Sequence, residues 1–491
     1  MACTGKFALF ALLLSTTAAS AQLQLPQIVI YANLFPLESS RIGASATVLT
    51  GERLRADGIE TVAEALRTVP GVAIDSAGGR GTITQVRIRG SEANQVLVLV
   101  DGIEVNGFVD PLFDFADLSV DEVERIEVIR GPQSGIYGSN AHAGVISIVT
   151  RSGKGLTRPR FDAKVETGSR RYLAGSLNVR GAYGPFYGSA TITDYATRGY
   201  NISRFGFEPD GSRAFGFTAK AGVDVTPNLN LEAVVRAVDR WAASDAQDFN
   251  CTFDPVTFMC PPTNPATYGL IVDSIGFTAY QSLAARIGAT LKLFDGRWIQ
   301  SVNAKLFDER LRSLDAFLGP FGTDGMRLAF DYKSTVLFDS DLAGGERHTV
   351  TLLTDHRRED FTQLGVPTRY QKRRTGLAGE YVLDLATLTT LSGALRHDWN
   401  QGFADVLTWR VALSQRVPST GSRFHASAGK GITDPTVFEL FGSSFNLPNP
   451  SLVPEQSIGW DIGIEQRMLD GRVIADLTYF ASDFTNKIEL T

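Results

Sequence analysis

Histidine and cysteine are scarce in this chain, and their scarcity narrows the chemistry before any motif is sought. The five histidines are scattered through 491 residues. No H-E-x-x-H occurs, so a helical zinc-hydrolase site has no basis. Ser134 sits in Gly131-Pro-Gln-Ser-Gly135, which lacks the spacing of a G-x-S-x-G elbow. Lys430, in Ala428-Gly-Lys-Gly431, lacks the leading glycine and the Ser or Thr of a phosphate-binding loop. No catalytic residue is assigned, and the chain does not read as an enzyme. Charge of one sign is also lacking: the net charge of −6 leaves no footprint for nucleic acid. With charged residues at 20% and a mean hydropathy of −0.01, the chain is neither disordered nor a helical membrane protein. What is plentiful is glycine, 48 residues, with 10% aromatics, a composition suited to a turn-rich β protein.

The N-terminus reads as a secretory signal over residues 1–21. Lys6 supplies the basic region, Phe7-Ala-Leu-Phe-Ala-Leu-Leu-Leu14 the apolar core, and Ala19-Ser20-Ala21 the cleavage site. That core is far shorter than the ~20 residues a spanning helix needs. Cys3 leaves with the signal, which leaves Cys251 and Cys260 in one loop of an exported chain. They read as a disulfide, since metal binding would need further His or Cys nearby.

Two textures follow. Gln27-Ile-Val-Ile-Tyr-Ala32 is a short apolar strand ahead of a linker containing Pro36. It is either a first edge strand or an exposed peptide that pairs with another protein's sheet. Residues 40–155 then read as one small α+β domain. Ala46–Thr50 is a strand, and Thr61-Val-Ala-Glu64 is a capping box that starts a helix ended by Pro70-Gly71. Thr84–Gly90 alternates, with Arg87 and Arg89 on one face. Val96-Leu-Val-Leu-Val100 is a strand buried on both sides. Glu122–Thr150 reads strand, glycine-rich crossing, strand, with Gly135, Gly138 and Gly144 permitting close backbone approach. From about Arg160, alternating runs replace this texture. Leu283, Ala285, Ile287, Ala289 and Leu291 alternate with polar or small residues, and Asp295-Gly296 turns the chain. Short turns alternate with longer segments such as Ala242–Thr267. A soluble sandwich or solenoid would share the alternation. Runs of about 9–11 residues, short turns on one side and long loops on the other fit an outer-membrane barrel.

The whole resembles TonB-dependent outer-membrane receptors, and within them the cobalamin (vitamin B12) receptor branch. The resemblance rests on Ile28-Val-Ile-Tyr-Ala32, Thr61-Val-Ala-Glu-Ala-Leu-Arg-Thr-Val-Pro-Gly-Val72, Val86-Arg-Ile-Arg-Gly90, Val96–Ile103 and Glu124-Arg-Ile-Glu-Val-Ile-Arg-Gly-Pro132 in order. Pro435–Gly442 and Asn449–Glu455 resemble a late-barrel loop and strand. The implied fold is mainly β: a transmembrane antiparallel barrel, of 22 strands in the family, with an N-terminal α+β plug in its lumen. The implied division is a TonB-box segment and linker over 22–39, a plug over 40–155 and a partial barrel over 156–491. The implied activity is active import of a scarce ligand across the bacterial outer membrane. Cobalamin is the first expectation, a ferric siderophore or haem the alternative, and a passive porin the rival class.

The implied partners are TonB with its inner-membrane energising complex, and outer-membrane lipid around a monomer. Ile28, Val29, Ile30, Tyr31 and Ala32 would form the TonB box. Ligand contacts would come from the plug apices, at Gly78, Gly79, Arg80, Gly81 and Thr82 and at Asn106, Phe108, Asp110 and Phe113. Plug arginines Arg87, Arg89 and Arg130 would pair with barrel acids Glu455, Asp461 and Glu465. Asp239, Asp245, Asp248 and Asp254 would be the ligands if the long loop held a structural Ca2+ ion; no other cofactor is implied. The chain ends Lys487-Ile-Glu-Leu-Thr491, without the family's terminal aromatic residue. Only about 14–16 strands fit the remaining length. The expectation is a truncated barrel that does not assemble alone.

Overall fold

The structure is a computed structural model, described over residues 29–30, 33–108, 111–252, 260–317, 319–341, 344–386, 388–442, 448–469 and 471–489. The expected signal, residues 1–21, lies outside them, as do Ile28, Tyr31, Ala32, Asp110 and Asp254.

The chain enters as a two-strand hairpin, β1 (Val29–Ile30) with β2 (Leu37–Glu38). A small domain follows: β3 (Ala46–Thr50), α1 (Gly51–Ala56), α2 (Val62–Leu66), β4 (Val72–Ser76) and β5 (Thr84–Ile88). It continues with β6 (Val96–Val100), β7 (Ile103–Glu104), β8 (Val123–Arg130), α3 (Ser134–Tyr137) and β9 (Gly144–Thr150). The capping box forms: Thr61 Oγ1 accepts from the Glu64 N–H, and the Glu64 carboxylate accepts from the Thr61 N–H. The main sheet runs β3-β8-β9-β6-β7, with β6 parallel to β9 and the other pairs antiparallel. Apolar alternation puts Val98, Ile126, Val128, Ile146 and Ile148 into one buried core with Val62 and Leu66. A Cβ at Gly144 would sit 2.4 Å from the Ile129 carbonyl oxygen, so only glycine fits this β8–β9 crossing.

The second part is a fifteen-stranded antiparallel sheet. Its strands are β10 (Arg160–Gly168), β11 (Tyr172–Tyr183), β12 (Phe186–Tyr200), β13 (Asp210–Thr226) and β14 (Leu229–Ala243). A small hairpin, β15 (Ala246–Gln247) with β16 (Ile271–Val272), rides on the next connection. The wall resumes with β17 (Phe277–Leu293), β18 (Trp298–Asp315), β19 (Gly319–Ser340), β20 (Glu346–Gln363) and β21 (Arg369–Leu385). It closes the series with β22 (Thr389–Asn400), β23 (Val406–Val417), β24 (Ser422–Thr433), β25 (Glu455–Met468) and β26 (Val473–Thr485). Among the described residues β10 and β26 are each paired on one side. A short helix, α4 (Val437–Phe441), lies between β24 and β25.

The sheet curls round the small domain. Its inner face carries Phe307, Phe361 and a set of buried charges, while its outer face exposes Val302, Phe330, Leu352 and Leu377. Contact between wall and small domain is direct: a Cβ at Gly135 would lie 2.8 Å from the Trp409 backbone. The short turns, such as 227–228 and 294–297, gather at one end, and the long connections 244–276 and 434–454 at the other. The entering segment 33–42 lies at the short-turn end, bonded to the β21 and β23 termini through Asp384 and Ser414.

Candidate functional site

The contact surface between inner domain and wall is held by charge, and mostly with the opposite polarity to that expected. The acids are on the inner domain and the bases on the wall. Asp101 receives the Lys220 ammonium at 2.8 Å, and Glu122 receives both Nε and Nη2 of Arg236 at 3.1 Å. Asp114 and Asp117 share Arg240 at 2.6 and 3.1 Å. Glu104 lies 2.5 Å from Arg357 and 3.7 Å from Arg327, and Glu359 backs both arginines. Burial opposes ionisation of Glu104, but the Arg327 and Arg357 guanidiniums outweigh it and hold its carboxyl below the usual range. At Asp117 burial wins over Arg240, and the carboxyl is pushed up.

The expected pairs fare unevenly. Arg89 bonds Asp461 at 2.9 Å and lies 4.5 Å over the Phe480 ring. It lies just beyond β5, at φ 54, rather than on the strand face. Arg130 turns inward instead, donating to Ser45 Oγ at 3.0 Å and the Pro70 carbonyl at 2.9 Å. Burial, then Arg89, lowers its pKa to about 10. Arg87 makes no ion pair among the described residues. Glu465 is held by Arg423 and Arg467 of the wall itself. Glu455 accepts from neutral Gln95 at 2.9 Å. The reason is positional: Arg130 and Glu465 each have local donors or acceptors nearer than the opposite surface.

At the short-turn end, the segment after β1 is fastened to the wall. The Glu380 carboxylate accepts from Asn33 Nδ2 at 2.6 Å and from the Leu34 N–H at 2.7 Å. Lys333 donates to the Leu34 carbonyl at 2.8 Å, and Arg423 to the Ile42 carbonyl at 2.9 Å. Arg41 pairs with Asp384. Val29 and Ile30 pair with Glu38 and Leu37 in a hairpin of the chain itself.

At the long-loop end, the two apical segments meet the wall differently. Gly78 and Gly79 approach Ile202 and Tyr200, and Gly81, at φ 86, abuts Ser212. Thr82 closes this loop on the Gly79 carbonyl at 2.7 Å. Arg80 bonds Glu60 at 2.7 Å and stacks over Tyr172 and Tyr195. Asn106 is buried, and its amide is consumed by Val98, Val96 and Pro111 backbone groups, so it builds the apex rather than facing outward. Phe113 packs edge-on against Phe115. Phe108 stacks on Phe307 at 5.8 Å beneath the Arg327 guanidinium at 4.8 Å. Gly107, Phe108 and Pro111 line a small cleft with Arg327, Arg357, Lys372 and Asp434. Lys372 reaches Asp434 at 3.2 Å, and α4 roofs the cleft by packing Phe438 on Phe361 and Phe321. Nothing in the local sequence marks Lys372 or Asp434; β21 and β24 are not neighbours in the sheet, and the curl of the wall brings the two residues together.

Three of the four loop aspartates named as candidate Ca2+ ligands are among the described residues, and each has a protein partner. Asp239 binds Gln281, Asp245 caps the Ser274 N–H, and Asp248 accepts from Asn250 and Thr267. Among the described residues no three acidic, histidine or cysteine side chains converge on a metal position. Asp245 and Asp248 accept from backbone N–H groups of the loop, and Asp239 from a side chain of the neighbouring strand. Cys251 and Cys260 form a disulfide in this loop.

This architecture has known counterparts. Residues 38–145 match the TonB-dependent receptor plug domain, and residues 235–491 match the TonB-dependent receptor-like β-barrel. Among solved structures, the siderophore receptor PirA of Acinetobacter baumannii is similar at a TM-score of 0.72 and 17% identity, covering 90% of this chain and 71% of that one. A mutant ferric enterobactin receptor (PfeA) from Pseudomonas aeruginosa, in complex with enterobactin, gives 0.71 and 18%, covering 91% and 73%. The alcaligin outer-membrane receptor FauA of Bordetella pertussis gives 0.66 and 14%, covering 93% and 73%. At such identities these structures establish the shared fold. The matched plug and barrel models establish more: the chain belongs to the TonB-dependent receptors, outer-membrane proteins that form a class of receptors and transporters rather than enzymes.

Proposed function

We propose that this protein imports a ferric siderophore through the outer membrane, driven by TonB. The observation that carries the proposal is the outward cleft over Phe108. Arg327, Arg357 and Lys372 present cations beside stacked phenyl rings, and each cation is held in place by a carboxylate. Such a cluster of cations suits an anionic chelate, whose oxygens can accept from the guanidinium and ammonium groups at the cleft. The similar structures bearing siderophore-receptor names support the same reading. In this reading Ile28–Ala32 is the TonB box and residues 40–155 the plug. The ligand settles on Phe108, Arg80 and the loops. TonB then pairs with the box segment and rearranges the plug, with no covalent step.

Cobalamin is the second reading, favoured by the ordered plug motifs between Gln27 and Thr150. Equilibrium binding without TonB separates the two. Ferric catecholates and hydroxamates should bind and cobalamin should not, with Lys372→Ala weakening the ferric ligands. Cobalamin binding with no ferric chelate bound would reverse the assignment. Ile30→Pro removes a backbone donor from the box and should abolish uptake while leaving binding intact.

A further inference from the structure

The inner domain and the wall do not meet closely everywhere. Tyr195 on β12 bonds Asp117 of the inner domain, which fixes that side of the strand as inward. Register then sets Ala174 and Ala214 on either side of Tyr195, and Gly216 beside Thr193. Side chains this small do not reach the inner domain, and a polar cavity lies between the two. Its floor is Glu122, which accepts from Thr218 and Arg236 one step nearer the short turns. At the long-loop end it is covered by Arg80.

The seat of Arg80 is a cation cage. Its guanidinium carbon stands 5.0 Å from the Tyr172 ring centroid and 4.4 Å from that of Tyr195. Nη1 donates to Glu60 at 2.7 Å, and the Tyr172 hydroxyl donates to the same carboxylate oxygen at 3.0 Å. The cage thus joins two wall tyrosines to an inner-domain acid, and the protein fills it with its own side chain. The fit is incomplete: Nη1 alone meets Glu60, and Nε is buried without a hydrogen-bond partner. A guanidinium binds an anion best through two parallel N–H bonds, so an anion that offers two oxygens competes with this seat. The backbone permits departure. Arg80 has the only long side chain in Gly78-Gly-Arg-Gly-Thr82, and three glycines flank it.

We propose that Arg80 is a latch: it fills the cage of Tyr172, Tyr195 and Glu60 and covers the cavity beneath, and an anionic ligand draws it out and uncovers that cavity. The trigger rests on the import reading with an anionic chelate; the latch itself does not. Glu60 and the two tyrosines are positioning residues, which hold the guanidinium until a better acceptor arrives.

The test reads access to the cavity from one thiol. Ala214 is buried on the cavity wall, and Cys251 is already paired with Cys260. Ala214→Cys in a full chain with Cys3→Ser therefore carries the reporter, and its rate of reaction with a small water-soluble thiol reagent is measured. Arg80→Ala should raise that rate roughly tenfold, as expected for loss of a partly exposed ion pair and two ring contacts. Arg80→Lys should fall between. Methylguanidinium, well below denaturing concentrations, should refill the cage of Arg80→Ala and slow the reaction again. Ala378→Cys, buried on β21, should keep its rate throughout. A ferric catecholate that binds should raise the Ala214→Cys rate with Arg80 present and leave it unchanged in Arg80→Ala. No rise on Arg80→Ala, or an equal rise at Ala378→Cys, would overturn the latch, and no slowing by methylguanidinium would overturn the cage. A chelate that binds without changing the Ala214→Cys rate would overturn the trigger and leave the import reading standing. Failure of any chelate to bind would remove the import reading and the trigger together, with the latch still decided by Arg80→Ala.

Discussion

The fastening of Leu34 to the wall allows a quantitative test of how the entering segment is held. Glu380 gives one carboxylate oxygen to Asn33 and the other to the Leu34 N–H, at 2.6 and 2.7 Å. It is buried, as is Asn33. Hydrogen bonds contribute about 0.5–1.5 kcal/mol each, and a buried N–H left without its acceptor costs about 1–3 kcal/mol. Glu380→Ala removes both bonds and leaves the Leu34 N–H without its acceptor. Lys333 still holds the Leu34 carbonyl at 2.8 Å. A local loss of about 3 kcal/mol is therefore expected from the lost bonds and the orphaned N–H together. Amide exchange reports it directly. At roughly 1.4 kcal/mol per decade, the Leu34 amide should exchange on the order of a hundredfold faster. Val128 and Ile146, in the central sheet, should not change. Glu380→Gln keeps one acceptor and should fall between. Unchanged exchange at Leu34 in a folded Glu380→Ala protein would refute the reasoning. An equal rise at Val128 and Ile146 would show instead that the inner domain as a whole had loosened.

Three further outcomes follow from the same geometry. Glu104→Ala leaves Arg327 and Arg357 with Glu359 alone, at 2.6 and 3.4 Å, and should cost about 3 kcal/mol in urea unfolding. His142 is held neutral by burial, with its pKa lowered to about 4 from 6.5. The unfolded chain therefore takes up the proton first, and stability is lost as pH falls from 6.5 toward 4 and is level above it. A pH series of thermal midpoints should show that slope, and His142→Gln should flatten it. Arg80→Ala removes the Glu60 pair and two ring contacts, which together contribute about 1–2 kcal/mol at a partly exposed site. Protease cutting within 78–82 should rise while the core sheet stays protected.

Much of the architecture was legible because it follows from short-range rules. Thr61 and Glu64 announce a helix start through a spacing that has one structural meaning, and the strand alternation of β17 and β18 fixes which face meets lipid. Charge pairing was less legible. Arg89 could be named as a plug base and Asp461 as a wall acid, but the main pattern runs the other way. Asp101 lies in an Asp-Gly turn and Glu104 in a two-residue strand, contexts in which an acid is ordinary and exposed. Their burial arises only when a wall residue some hundred or more positions later closes over them. The loop aspartates show the opposite difficulty. Asp245 and Asp248 are near each other in sequence, but each is occupied by backbone N–H groups of its own loop. Spacing along a chain does not reveal which acids local turns have already claimed.

The position of β3 at the border of the five-stranded sheet has a mechanical consequence. Any tension applied at the N-terminal end passes the Leu34 fastening and reaches β3 before any other strand of that sheet. A border strand has one neighbour, β8, so tension directed away from it opens the ladder pair by pair from Ala46–Ile129 toward Thr50–Arg125. The peak force is then that of a single rung, much as a zipper parts more easily than a shear joint of the same length. The Arg130 contact with Ser45 stands at the first rung and would break at the outset. Once β3 has parted, the chain carries the load through α1, α2, β4 and β5 before it reaches β6, the next strand of that sheet in chain order. The inner domain is thus built to give way first at its border strand, with a long stretch of chain paid out before the central parallel pair of β6 and β9 carries load.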